Sequence, residues 1–109
     1  MFKTDIHSHN QTINDAKYEL DNYISIARTR HEKILCLVIG YGSHNTSHKI
    51  NTNIINLVEE YKKNKKIKDY ILGNKIDIFD INYQNFKGKD FLPEEEKKKR
   101  NPGNIYIYL

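Results

Sequence analysis

Residues 34–42 read Ile-Leu-Cys-Leu-Val-Ile-Gly-Tyr-Gly, and this stretch decides the fold of the chain. Its first six residues are apolar without a break, which at this length is typical of a central strand covered on both faces. The glycines at 40 and 42 follow directly and place a turn at the carboxyl end of that strand. The stretch therefore predicts an α/β fold built around this strand.

Other segments extend the pattern to either side. Residues 2–6 and 67–72 suit short strands, and residues 104–109 form a β-branched and aromatic strand that closes the chain. Apolar residues recur with helical spacing from Ile13 to Ala27, after an N-cap within residues 10–12, and again from Ile54 to Tyr61, after a cap at Asn51 or Thr52.

The order β-α-β-α-β, an excursion and a final β predicts a two-layer α/β sandwich. We expect a mixed, mainly parallel four-stranded sheet and two main helices. The first two crossovers should be right-handed and give parallel pairing, while the last strand runs antiparallel.

Residues 73–103 form an irregular excursion within a single domain that spans residues 1–109. Residues 76–81 either add a strand or pack as a loop, and Phe86, Phe91 and Leu92 anchor the segment to the core. Residues 93–100 read Pro-Glu-Glu-Glu-Lys-Lys-Lys-Arg, which suits one or two exposed helical turns, with acids early and bases late as the helix dipole prefers. We expect the excursion to be solvated.

Charge and composition limit the partners and the compartment. Eighteen basic residues against 14 acidic ones give a net charge of +4, which favours an anionic partner without requiring one. Cys36 is the single cysteine and lies in the apolar run, so we interpret it as a buried hydrophobe. No stretch approaches the roughly 18 apolar residues of a membrane helix, and no leader segment opens the chain, so we expect a soluble, cytoplasmic protein without a membrane partner.

Two polar clusters follow strands that should share one sheet edge, where open α/β sheets bind ligands. Asp5 and His7 are two residues apart on an extended strand, so both side chains point to one face. The carboxylate can orient the imidazole, which makes His7 a candidate acid or base acting on a ribose 2′-hydroxyl or on water. The alternative is a structural aspartate beside an ordinary histidine.

The second cluster suits a phosphate. Gly40, Tyr41 and Gly42 allow close approach of the backbone and offer N–H groups, and Tyr41 could stack on a base. We predict a polar loop over residues 40–49, in which Ser43, His44 and Lys49 contact a sugar-phosphate backbone. A plain turn and a solvated loop are the alternatives. The lysines of residues 62–66 fall at the far end of the second helix, and we interpret them as solvated surface.

A metal site is a different interpretation of the first cluster. His7 and His9 could both reach one ion, with His44 or His48 completing a zinc site. The barrel metallohydrolases that open with such a motif need well over about 200 residues, and this chain is too short for that fold. We therefore predict neither a metal nor a cofactor.

The elements and motifs together resemble the Smr (small MutS-related) domain. Asp5 and His7 match the first motif of that family, a strand ending in Leu-Asp-Leu-His-Gly, and Gly40 and Gly42 match its Gly-x-Gly. Residues 101–109 look like its closing turn and strand. The resemblance implies binding of RNA or DNA and endonuclease activity, with Asp5 and His7 catalytic, within a larger nucleic-acid or ribosome-associated assembly.

Three features depart from the family pattern. Ser8 stands where the family has glycine, Ile39 stands where it has histidine or threonine before Gly-x-Gly, and the excursion is longer. Ile39 has no hydrogen-bonding side chain, which favours an alternative function. That alternative is a non-catalytic nucleic-acid-binding or protein-interaction adaptor on the same fold, and a small metal-dependent hydrolase is a third hypothesis.

Overall fold

The computed structural model describes residues 1–6, 12–39 and 45–109, with the side chains of the second helix described from residue 53 onward. The strands in these ranges are β1 (Phe2–Asp5), β2 (Ile34–Val38), β3 (Asp69–Leu72) and β4 (Asn104–Tyr108). The helices are α1 (Ile13–Thr29), α2 (Asn45–Lys63), α3 (Ile81–Asn85) and α4 (Glu94–Lys99), with 3₁₀ turns at Gly73–Lys75 and Lys89–Phe91. Within these ranges, no helix combines the length and the apolar character that crossing a bilayer requires.

The two long helices differ in how well their starts were predicted. Thr12 caps α1 through a capping box with Asp15, in which each side chain accepts a hydrogen bond from the backbone N–H of the other residue. In contrast, α2 begins at Asn45, and the predicted cap at Asn51 or Thr52 is wrong. Residues 45–50 contain neither glycine nor proline, so no residue in that stretch blocks the helix from extending toward its amino end.

The sheet has the strand order β1-β2-β4-β3. β1 pairs with β2 in parallel, while β4 lies between β2 and β3 and is antiparallel to both. The mixed four-stranded sheet is confirmed, and three of its strands point the same way. The expected pairing of the third strand with the second is wrong, because the last strand inserts between them.

The burial of each strand accounts for this order. β2 and β4 are buried at four successive positions, so both of their faces need cover and they occupy the centre. β1 and β3 alternate between less and more buried positions, which suits edge strands.

The helix-side core lies between one face of the sheet and helices α1 and α2. Leu20 of α1 and Val58 of α2 are fully buried there against Leu37 and Ile107 of the central strands. Each such aliphatic side chain stabilises the fold by about 1.5–3 kcal/mol relative to an exposed position. This layer is the predicted α/β sandwich.

The other face of the sheet is covered by the excursion. Ile76, Phe86 and Leu92 pack there on the sheet residues Ile34, Cys36, Ile71 and Tyr106. The predicted anchoring by Phe86 and Leu92 is confirmed, whereas the expectation that the excursion is solvated is wrong where these residues and Ile76 meet the sheet. Phe91, expected to be an anchor, is 46% exposed and stacks on Tyr108 instead. Residues 76–81 form no strand, which leaves the loop alternative.

Candidate functional site

The carboxyl ends of β1 and β2 lie side by side. Asp5 is in register with Val38, and the backbone N–H of Ile6 donates to the Val38 carbonyl over 3.1 Å. The two strands that lead into the predicted motifs therefore end at the same sheet edge, which we call the carboxyl edge. His7 and residues 40–44 lie outside the described residues, so their proximity to Asp5 stays a prediction.

The turn before β4 closes the carboxyl edge from the other side. The Ile39 N–H donates to the Gly103 carbonyl over 2.8 Å, and the Asn101 side-chain oxygen accepts from the Gly103 N–H over 2.8 Å. Gly73, at the end of β3, approaches this turn so closely that a Cβ there would lie 1.9 Å from the Asn101 carbonyl oxygen. Only glycine fits this position without a backbone shift, so the turn is held between β2 and β3.

Asp5, Val38 and Asn104 form a row across one face of the sheet at this edge. Their register places them on neighbouring strands, on the face opposite α1 and α2. Asp5 is exposed, whereas Asn104 is only 1% exposed. The Asn104 amide donates to the Tyr106 hydroxyl over 3.2 Å, and its carbonyl oxygen has no partner among the described residues. An unpaired buried acceptor is costly and is rare in folded proteins.

A buried carboxylate supports the next row of the same face. Glu96 is 5% exposed and accepts a hydrogen bond from the Tyr106 hydroxyl over 3.0 Å. It also pairs with Lys99 at 3.2 Å and with Lys3 at 3.5 Å. Burial alone would raise the pKa of this carboxyl, but the hydrogen bonds from Lys99 and Tyr106 and the charge of Lys3 outweigh it, and the pKa lies below its usual value. Glu96 is therefore ionised and ties α4 to the sheet.

Sequence reasoning missed both Asn104 and Glu96. The signal for Asn104 was a lone amide at the start of an otherwise apolar and aromatic strand. Glu96 lies in a run of charges that is typical of an exposed helix, yet in the structure it accepts a hydrogen bond from the buried Tyr106. Only the position of α4 on the sheet distinguishes Glu96 from its neighbours.

Of the remaining predicted site residues, the structure describes only the backbone of Lys49. The backbone of Lys49 lies in α2, so its predicted place in a loop is wrong. The predicted contacts of Gly40, Tyr41, Gly42, Ser43 and His44 lie outside the described residues.

The metal hypothesis also rests on side chains that are not described, those of His7, His9, His44 and His48. Among the described side chains, no group of three or more His, Cys, Asp or Glu is placed to hold an ion. Cys36 is fully buried, as expected, and burial raises the pKa of its thiol to about 12.

Comparison with solved structures identifies the architecture. The chain is similar to the Smr domain of Thermus thermophilus MutS2 in its crystal structure, with a TM-score of 0.58 and 16% sequence identity over 100% of this chain and 98% of that chain. This chain has the fold of an Smr domain. No protein-family model and no curated protein matches the sequence. The Smr-like fold inferred from Asp5, His7, Gly40 and Gly42 is thus confirmed at the level of architecture.

Proposed function

We propose that this Smr-like domain binds RNA or DNA at the carboxyl edge and cleaves its phosphodiester backbone. The observation that carries the proposal is the exposed Asp5 carboxylate at a strand end, beside the end of β2, which leads into Gly40-Tyr41-Gly42. Ligands of open α/β sheets bind at such an edge. The likeness to an Smr domain supports the same location.

Each predicted residue has a distinct role in this reaction. His7 takes a proton from the attacking oxygen, either a ribose 2′-hydroxyl or water, the attack on phosphorus displaces the 5′-oxygen of the next nucleotide, and a water molecule gives that oxygen its proton. Asp5 orients the imidazole and stabilises its charged form. The backbone N–H groups of residues 40–42 stabilise the negative charge on the phosphoryl oxygens, and Tyr41 stacks on a base. Ser43, His44 and Lys49 contact the backbone of the strand.

Cleavage of labelled oligonucleotides tests the proposal. Wild type, His7→Ala and Asp5→Asn are incubated with single-stranded RNA and with duplex DNA, with and without a divalent metal. General acid–base catalysis contributes about 10²–10⁴-fold, so we expect both variants to lose most of the cleavage rate while binding persists. Asp90→Asn removes a carboxylate at an exposed position in the 3₁₀ turn and serves as the matched control. Equal cleavage by wild type and His7→Ala would refute the catalytic role.

A second candidate function rests on Ile39. This side chain is 4% exposed and packs in the helix-side core with Leu37, so it provides no polar group to the carboxyl edge. A domain with this residue can bind nucleic acid, or a protein partner, without cutting. Stable binding with no turnover on either substrate supports this non-catalytic module over the nuclease.

A further inference from the structure

A cationic surface lies at the sheet edge opposite the candidate site. We call it the lysine edge, and it comprises Arg28, Lys62, Lys63, Lys65, Lys66, Lys68 and Lys87, which line two neighbouring clefts. The backbone N–H of Lys68 donates to the Tyr108 carbonyl at the end of β4, and that of Lys87 donates to Asp69 at the start of β3. The carboxyl ends of β1 and β2 lie at the other end of the sheet. The length of the five-residue strand β2, about 15 Å, separates them from the lysine edge.

The lysine edge concentrates the positive charge of the chain. Its seven members are all exposed, and without them the acidic residues of the chain would outnumber the basic ones. Asp21 is the one carboxylate among the residues lining the two clefts. Within the described part of the chain, Lys62 alone of the seven forms an ion pair, with Asp69 at 3.0 Å. The excess charge is therefore available to an external anion.

Several of these cations are held in place by aromatic rings. The ammonium groups of Lys66 and Lys68 lie 4.7 Å and 5.1 Å from the ring centroids of Tyr61 and Tyr108. The Arg28 guanidinium donates a hydrogen bond to the Lys66 carbonyl and so joins the ends of the two long helices. Ordered cations lose less conformational entropy on binding than free side chains do, which favours a binding role for this edge.

Lys65 has an unfavourable backbone conformation. It follows the end of α2 with φ at 61°, where the hydrogen bonds Lys66 N–H to Tyr61 carbonyl and Lys65 N–H to Lys62 carbonyl form a Schellman motif. Glycine is the residue that best suits this position, because a Cβ disfavours positive φ. A lysine here adds a charge to the edge at some cost in stability, as His31 does with φ at 59° in the same motif at the end of α1.

We propose that the lysine edge is a second nucleic-acid contact surface that binds the phosphodiester backbone without reading sequence. The apolar residues that line the clefts, Ile24, Tyr61 and Ile67, are at most 5% exposed, so the clefts offer cationic donors and no exposed apolar side chain. Surfaces that bind membranes combine basic residues with exposed apolar ones, which this edge lacks. The inference goes beyond the proposed cleavage site, because it assigns a partner to the opposite edge.

Fluorescence anisotropy over a salt series tests this surface. The full chain is titrated against a labelled single-stranded RNA and a labelled duplex DNA, with Lys65→Gln/Lys87→Gln as the test variant. The matched control is Lys17→Gln/Lys98→Gln, which removes the same charge from exposed positions on α1 and α4. We expect the test variant to weaken duplex binding roughly tenfold or more near 0.1 M salt and to reduce the slope of log K against log salt by about 1.8, because each phosphate contact contributes about 0.9.

A second variant removes misfolding as an explanation. Lys65→Gly relieves the positive-φ strain, so we expect a Tm at or above that of wild type together with weaker binding. Equal binding by the test and control double variants overturns the lysine edge and leaves the carboxyl-edge proposal intact. Binding that depends on Lys65 and Lys87 but not on Tyr41, together with cleavage that His7→Ala leaves unchanged, supports the lysine edge and refutes the other site. Binding to anionic lipid vesicles but to neither oligonucleotide would refute both.

Discussion

Glu96→Gln tests whether the buried carboxylate holds the excursion to the sheet. Glutamine keeps the length of the side chain and an oxygen that can accept from Tyr106, but it removes the charge that faces Lys3 and Lys99. Both lysines are about half exposed, so each pairing contributes at most about 1 kcal/mol. The hydrogen bond from Tyr106 is weaker to a neutral amide than to a carboxylate, which adds about 1 kcal/mol to the loss of stability. The lower cost of burying an uncharged amide offsets part of this loss. We expect a net loss of about 1–2 kcal/mol at pH 7.

The pH dependence makes this prediction specific. The pKa of Glu96 is lower in the folded protein than its ordinary value of 4.5, so the unfolded chain binds the proton more readily. The stability that the carboxylate provides is therefore present above about pH 4.5 and is lost as the pH falls through the folded-state pKa. The difference between wild type and Glu96→Gln should be largest at neutral pH and should shrink toward zero in acid.

Urea unfolding followed by circular dichroism, from pH 7 down to pH 3, measures this difference. Glu95→Gln is the matched control, because Glu95 is an exposed neighbour on the same helix and should change stability by less than about 0.5 kcal/mol. A difference between wild type and Glu96→Gln that stays constant from pH 7 to pH 3 would contradict the ionised state of Glu96. A loss as small as that of the control would contradict its structural role.

Three further changes probe other parts of the fold. Gly73→Ala should lower the free energy of unfolding by more than about 2 kcal/mol, because its Cβ would meet the Asn101 carbonyl, and an unchanged Tm would contradict that close approach. Burial raises the pKa of the Cys36 thiol to about 12, so it should react with iodoacetamide at pH 8 only after the protein is denatured. Rapid labelling of the folded protein would be inconsistent with this burial. Lys65→Gly should raise the free energy of unfolding by about 0.5–1 kcal/mol in a thermal melt, and a decrease would argue against strain at positive φ.

Local pattern was sufficient for the four strands, for the two long helices apart from the start of α2, and for the place of the first motif. The unbroken apolar run at residues 34–39 required cover on both faces, and β2 is central. The helical spacing after Thr12 identified the buried face of α1, whose residues Ala16, Leu20, Ile24 and Ala27 are all buried. Asp5 could be placed at a strand end because its position depends only on where an apolar run stops.

Long-range contacts decided what the pattern could not. β4 pairs with both β2 and β3, although nothing in the spacing of its residues specifies a neighbour. The same limit applies to Glu96, whose burial depends on where α4 meets Tyr106, and to the lysines that gather with Arg28 from distant parts of the chain. The sequence by itself determined the strands, the two long helices and their apolar faces, because periodicity records which side of an element avoids water. Only the tertiary structure decided which elements meet, because that choice depends on the packing of surfaces far apart in the chain.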